Sequence, residues 1–369
     1  MRIGIDFRAV TAAPHSGVAR QAQALRDALR QGKGATVLPF TAAPADHPHR
    51  REAICPDRHS LLSGLHRPSE RWRFERQFLP RALSAHAIDL YVATVNMGLP
   101  VGLSARQKSR TRWVLQLHDV FQITLRNRHQ SAWREKAYLL IDAWSIRHAT
   151  RLADAIWVPS DHTANALLSV LPATAGRIRV RPNAVPFESW QQPHPAVPAP
   201  ARYWLLVGTR EPRKNIAWFV DAWSAARRHS PRSIPDLVLV GSPQDLPDAP
   251  DGVRFLQNID DAQLRGWYRQ AERLWHPSYA EGFGLPVIEA AACGVPVATA
   301  TGSALEEVTP PGSPRFDPRD SQALTKLMID LSMPRRHQAD NAERLRQWAA
   351  RYDLAPYARR VDELLAELR

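Results

Sequence analysis

Two glutamates eight positions apart, Glu281 and Glu289, bracket the segment Gly282-Phe283-Gly284-Leu285-Pro286. Glycines let the backbone come close to a ligand, and a helix starting behind them aims free N–H groups at the same point. The N–H groups of Phe283, Gly284 and Leu285 are therefore candidate phosphate donors. A carboxylate repels phosphate, so the two glutamates need other partners. Sugar hydroxyls qualify, because an ionised carboxylate accepts several hydrogen bonds. A glycine pair before a helix is often only a turn. The longer pattern, with Pro286 at the helix start and Gly294-Val-Pro-Val behind it, is far more specific.

A second basic constellation is Gly208-Thr-Arg210-Glu-Pro-Arg213-Lys214-Asn215, followed by helical spacing over 216–229. Cations at a helix start oppose its dipole, so Arg213 and Lys214 need an anion beside them. A diphosphate would serve, gripped by the arginine fork and the lysine point charge. The competing reading is two solvated basic residues at a turn; Arg210 is a weaker candidate. His118-Asp119 follows a strand-like run, 113–117. Ligands of open α/β sheets bind beyond the carboxyl ends of strands. His118 is the candidate for contact there, against a loop histidine satisfied by its neighbours. Asp119 reads as a brace for the loop.

The elements that must position these residues alternate strand and helix. Strand-like runs fall at 3–7, 37–40, 88–94, 113–117, 155–159 and 177–181, then at 203–207, 236–240, 253–256 and 295–299. The expected class is α/β, with two doubly wound Rossmann-like domains. The expected division is 1–186, a linker 187–202 that is proline-rich over 191–200, and 203–352, with 353–369 reading as a closing amphipathic helix. Residues 9–17 and 41–68 read as loops, and 131–152 as a long helix. The stretch 70–85 reads as a basic amphipathic helix whose aromatics, Trp72, Phe74 and Phe78, serve the core or a membrane.

A chain of 369 residues has room for two such domains. Its net charge of +13 favours a polyanionic partner: nucleic acid, an anionic membrane face or a nucleotide phosphate. The arginines are interspersed with Trp, Leu and Glu, which points to basic helical faces and away from a nucleic-acid tail. Cys55 and Cys293 have no metal-ligand spacing and form no disulfide framework, as expected of a reducing cytoplasm. No signal peptide and no bilayer-spanning run is expected.

The 281–289 segment resembles the paired-glutamate motif of retaining glycosyltransferases with the two-domain GT-B fold, in particular glycosyltransferase family 4 (group 1). Pro182-Asn183-Ala184-Val185 is similar to a turn that ends the family's first domain, with Ala184 in place of its glycine. His15-Ser-Gly17-Val-Ala-Arg20 is similar to the family's glycine-rich loop, with one glycine where two are frequent. The resemblance implies two domains facing each other across a cleft, with the 353–369 helix crossing back to pack on the 1–186 domain, and it implies roles. Gly17 would lie near the donor phosphates. Arg213, Lys214 and the 283–285 N–H groups would hold the diphosphate, Glu289 the ribose, and Glu281 and His118 the transferred sugar. Phe255 and Leu256 would line the nucleobase pocket, or belong to the core.

It also implies an activity. A mannose- or rhamnose-like hexose would pass from a nucleotide-sugar, with GDP favoured, to a saccharide or lipid-linked saccharide hydroxyl, with retention. The setting would be surface-polysaccharide or lipopolysaccharide assembly in the cytoplasm, with the anionic inner membrane face as a candidate surface and no nucleic acid partner. No cofactor and no metal are expected: the Asp-x-Asp motif of the metal-dependent single-domain fold is absent from the sequence. Fixed cations and N–H dipoles would stabilise the leaving diphosphate instead. Two alternatives stand beside this. A nucleotide-sugar epimerase of the same fold would need acid and base groups around the sugar, and only His118 and Glu281 offer themselves. A non-catalytic nucleotide-binding relative would be expected to lose Arg213, Lys214, Glu281 or Glu289, and all four are present.

Overall fold

The computed structural model describes residues 1–32, 34–43, 47–56, 65, 67–125, 132–332 and 338–368, with backbone only for 132–135 and 338–340. The chain forms two units, Met1–Ala184 with Leu354–Arg369, and Val185–Asp353.

The first unit is built on a six-stranded parallel sheet: β1 (Arg2–Asp6), β2 (Thr36–Phe40), β3 (Leu90–Ala93), β4 (Arg112–Gln116), β5 (Ala155–Val158) and β6 (Ile178–Val180). Their order is β2-β1-β3-β4-β5-β6, so the winding reverses between β1 and β3. Short apolar runs such as Leu90-Tyr-Val-Ala93 are buried along their whole length, as strands covered on both faces must be. Ile5, Val92 and Val114 belong to one core and Tyr91, Leu115 and Ile156 to another. The closing helix Leu354–Ala366 contributes Tyr357, Val361, Leu364 and Leu365 to the first of these cores. That spacing is one face of a helix, and it draws the chain's last turns into the first unit.

The second unit holds β7 (Tyr203–Val207), β8 (Asp236–Val240), β9 (Val253–Leu256), β10 (Arg273–His276), β11 (Val297–Ala300) and β12 (Arg315–Phe316). The order β12-β11-β10-β7-β8-β9 is the dinucleotide-fold arrangement, with its switch point between β7 and β10.

Local readings needed correction in four places. Residues 9–17 are not all loop: Arg8–Ala12 form a short helix, anchored by buried Arg8, whose Nη2 lies 2.7 Å from Asp6 and 3.1 Å from Glu75. The 70–85 helix begins at Pro68 and carries a π-type turn over Arg73–Phe78, where the Glu75 carbonyl accepts from Val101 N–H at 2.9 Å. In that helix Phe74 is core and Trp72 is exposed. The 187–202 segment opens with a helix, Phe187–Gln191, because Trp190 is buried in the second unit's core. Strand β12 was not foreseen. Within 41–68, Pro48–Arg50 form a single turn and Ile54 bridges to Phe40. Residues 44–46, 57–64 and 66, the start of the 131–152 helix with the Trp133 side chain, and 333–337 lie outside the described residues.

Candidate active site

The second unit's site forms where the switch point brings the ends of β7 and β10 side by side. After β7, Gly208 turns the chain at φ +87°, with its Cα hydrogen facing Lys214; a Cβ there would stand 3.5 Å from Lys214 Cε. Pro212–Lys214 make one tight turn, and Asn215 at φ 59° leads into the helix Ile216–His229. After β10, the Tyr279 N–H donates to the Arg213 carbonyl at 3.0 Å and ties the two loops together.

The result is a compact charge cluster. Lys214 Nζ lies 2.6 Å from Glu281 Oε1, and Arg213 Nη1 lies 2.8 Å from Glu281 Oε2. Arg213 also pairs with Glu211 at 2.6 Å. His276, at the end of β10, donates from Nε2 to Glu281 Oε1 at 3.0 Å. Burial alone would raise the Glu281 carboxyl, but Lys214, the His276 hydrogen bond and Arg213 hold it well below the ordinary range. Burial and the neighbouring Lys214 charge lower His276, so it is neutral and carries its hydrogen on Nε2. Burial would lower Arg213, yet Glu281 and Glu211 together raise it. The anion beside the two cations was expected to come from a ligand. The chain supplies its own, Glu281.

Gly284 sits at φ +108° and caps the helix Leu285–Ala292, with Pro286 in its first turn. A Cβ on Gly284 would come within 2.7 Å of Leu305 Cδ2, so only glycine fits both the dihedral and the space. Among the described residues, no turn or loop hydrogen bond is donated by the N–H of Phe283, Gly284 or Leu285. Glu289 lies on the buried side of this helix, 2% exposed, and its Oε2 accepts from the Tyr268 hydroxyl at 3.0 Å. An open cavity of about 520 Å³ adjoins the cluster, lined by Gly208, Thr209, Arg210, Lys214, Gly241 and Asp245 among others. Phe255 and Leu256 are partly buried against the second unit's core.

In the first unit, His118 follows β4. Its backbone N–H donates to Asn96 Oδ1 at 2.7 Å, and its Nε2 lies 2.9 Å from the Thr94 carbonyl. A carbonyl only accepts, so Nε2 bears the hydrogen and Nδ1 is the unprotonated, accepting nitrogen. Burial, opposed by the Thr94 bond and helped by the Arg181 charge, brings His118 down to about 4. Asp119 Oδ1 accepts from Asn96 Nδ2 and from the Phe121 N–H, each at 3.1 Å, and so braces the loop. Gly17 is the first residue of the helix Gly17–Gln31, whose cap is the Ser16 hydroxyl accepting from Ala19 N–H at 3.2 Å.

Sequence reasoning missed His276, which reads as an ordinary strand residue. It also missed a buried polar group at the carboxyl ends of β4 and β6. Arg181 is 1% exposed; its Cζ stands 4.5 Å from the Tyr357 ring and 5.5 Å from the Trp157 ring, and Nε and Nη1 have no hydrogen-bond partner. Both amide atoms of Gln116 and Oδ1 of Asn183 are likewise buried and unpartnered. The signal was the alternation in Arg177-Ile-Arg-Val-Arg181, which places a charge where a buried strand ends.

Residues 15–189 match the family model described as Glycosyltransferase Family 4, and residues 201–333 the one described as Glycosyl transferases group 1. The chain belongs to this glycosyltransferase family, and its two parallel α/β units are those of the GT-B fold. Among curated relatives, the O-antigen chain mannosyltransferase B of Escherichia coli is 33% identical over 137 residues, covering 34% of this chain and 36% of that protein. The O-antigen chain mannosyltransferase RfbU of Salmonella typhimurium is 30% identical over 177 residues, covering 45% and 47%. The aligned region thus spans less than half of either relative. The crystal structure of WaaG, a glycosyltransferase involved in lipopolysaccharide biosynthesis, has the same fold, with a TM-score of 0.72, 17% identity and 99% of each chain covered.

Proposed function

We propose that the protein transfers a hexose, mannose- or rhamnose-like, from a nucleoside diphosphate sugar to a hydroxyl of a saccharide or lipid-linked saccharide, with retention of anomeric configuration and without a metal. The setting is surface-polysaccharide or lipopolysaccharide assembly, in the cytoplasm and at the inner membrane face. Family membership and the two O-antigen mannosyltransferase relatives support the reaction class and the setting. The observation that carries it is the Arg213–Lys214–Glu281–His276 cluster at the switch point of the second unit.

In this reading residues 1–186 with 353–369 take the acceptor and 203–352 the donor. Arg213 and Lys214 receive the diphosphate, together with the N–H groups of Phe283, Gly284 and Leu285 at the helix start. Charge grows on the diphosphate as the glycosidic bond breaks, and cations already fixed in place stabilise that charge without reorganising. Glu281 accepts hydroxyls of the sugar once the diphosphate takes over its cations. His118, neutral with Nδ1 free of hydrogen, offers a further acceptor for a sugar hydroxyl. Glu289 takes the ribose hydroxyls by exchanging its bond to Tyr268. Gly17 lies by the donor phosphates.

A thermal-shift panel of GDP, UDP, ADP and dTDP tests the donor class, since a ligand that binds the folded state alone raises Tm. At least one nucleotide is expected to raise it, and Lys214→Ala and Glu289→Ala should each cancel the rise. If the rise survives both substitutions, the donor site has been misplaced.

A further inference from the structure

Among the described residues, eight large hydrophobic side chains are exposed, and five of them lie on two neighbouring helices of the first unit. Trp72 is 43% exposed on the 68–85 helix; Tyr138 (39%), Leu140 (69%), Ile141 (40%) and Trp144 (48%) lie on the helix Ala132–Leu152. The two helices are fastened by Arg71, which bonds Asp142 at 3.1 Å, and their indoles meet, with Trp72 and Trp144 centroids 6.0 Å apart. Scattered exposed apolar residues are normal; a concentration of this kind marks an interaction surface.

Among the described residues, the exposed charges around it are mostly basic. Arg73, Lys136 and Arg147 are exposed, and the Arg76 guanidinium lies 5.4 Å from the Trp72 ring centroid. The acidic side chains nearby are spoken for: Glu70 pairs with Arg73 at 3.2 Å and Asp142 with Arg71. A second copy of this chain would set one basic rim against another. Tryptophan and tyrosine at the surface with arginine and lysine around them are what the headgroup region of an anionic bilayer accommodates: rings at the apolar boundary, cations on phosphates. No described helix is long and apolar enough to cross a membrane.

We infer that this two-helix face seats the protein on an anionic phospholipid surface. It deepens the location in the proposed function and rests on that reading only for why a membrane is visited. The test is co-sedimentation of the full chain with phosphatidylcholine vesicles and with vesicles that also contain phosphatidylglycerol. Binding is expected on the anionic vesicles, weakening as salt rises from about 0.1 M to about 1 M and the screening length falls from ~10 to ~3 Å. The triple variant Trp72→Ser, Leu140→Ser, Trp144→Ser should bind about tenfold or more weakly, as should Arg73→Glu with Lys136→Glu. Trp144→Ser alone guards against loss of the fold, and every variant should keep the nucleotide-induced Tm rise of the parent. Wild-type binding by the triple variant overturns the inference. So does a concentration-dependent dimer that the triple variant dissolves, with no vesicle binding. Should no nucleotide raise Tm even in the parent, the donor reading fails while the vesicle result still decides this one.

Discussion

Replacing Glu281 with alanine separates two things the site does. Glu281 is the anion between Arg213 and Lys214, whose side chains are each only 14% exposed. Breaking a buried ion pair from one side costs about 3–5 kcal/mol. Partial exposure and the remaining Glu211 partner of Arg213 reduce that here to about 2–3 kcal/mol. For a unit of this size the loss corresponds to a fall in Tm of roughly 5–10 °C. On the proposed reading, a nucleoside diphosphate brings the missing charge. It no longer meets a carboxylate, a repulsion worth roughly 3 kcal/mol at about 6 Å and an effective dielectric near 20. Saturating nucleotide should therefore raise the Tm of Glu281→Ala more than that of the wild type, while sugar transfer falls. The pH dependence has a fixed sign. The wild-type carboxyl is depressed, so its stabilisation is present above the unfolded value near 4.3 and is lost as pH falls through the folded value. The gap between the two proteins should close only in acid. Differential scanning calorimetry with and without nucleotide reads all of this. An apo Tm equal to the wild type's, or a smaller nucleotide-induced rise in the variant, would refute the reasoning.

Arg181→Met should move the NMR titration of His118 upward from about 4, because one cause of its depression is gone. The variant removes two buried nitrogens that lack hydrogen-bond partners, but also the ring contacts to Tyr357 and Trp157; an unmoved His118 titration would exclude the coupling. Gly284→Ala should lower Tm and abolish the nucleotide shift, because a Cβ meets Leu305 and φ is positive. Gly302→Ala, also at positive φ but with nothing within 4 Å, should cost only about 1–2 kcal/mol and leave the shift intact.

Much of the second unit was legible in the chain. Tyr203–Val207 is an uninterrupted apolar run, Asp236–Val240 and Val253–Leu256 are apolar except for Asp236 and Arg254, all three are bounded by glycine or polar turns, and Ile216–His229 has clean helical spacing. What escaped were elements too short to show a period. Arg315–Phe316 is two residues long, and Arg8–Ala12 exists because an arginine is buried against Asp6 and Glu75. The candidate site residues could be picked out one loop at a time. Their pairing could not, since Lys214 and Glu281 lie 67 positions apart and meet only because the strand order places β7 beside β10.

That pairing changes what a ligand must do. A site holding two bare cations would accept any phosphate. A site that carries its own counter-ion is stable when empty, and an incoming anion must displace the carboxylate, not fill a gap. Displacement leaves Glu281 desolvated and without its cations, which is costly unless new donors reach it. A free diphosphate takes the cations and offers nothing to the carboxylate. On the proposed reading, a nucleotide sugar satisfies both at once, its diphosphate on Arg213 and Lys214 and its hydroxyls on Glu281. The ion pair then acts as a discriminator, favouring the complete donor over the nucleotide left after transfer and so helping the product to leave.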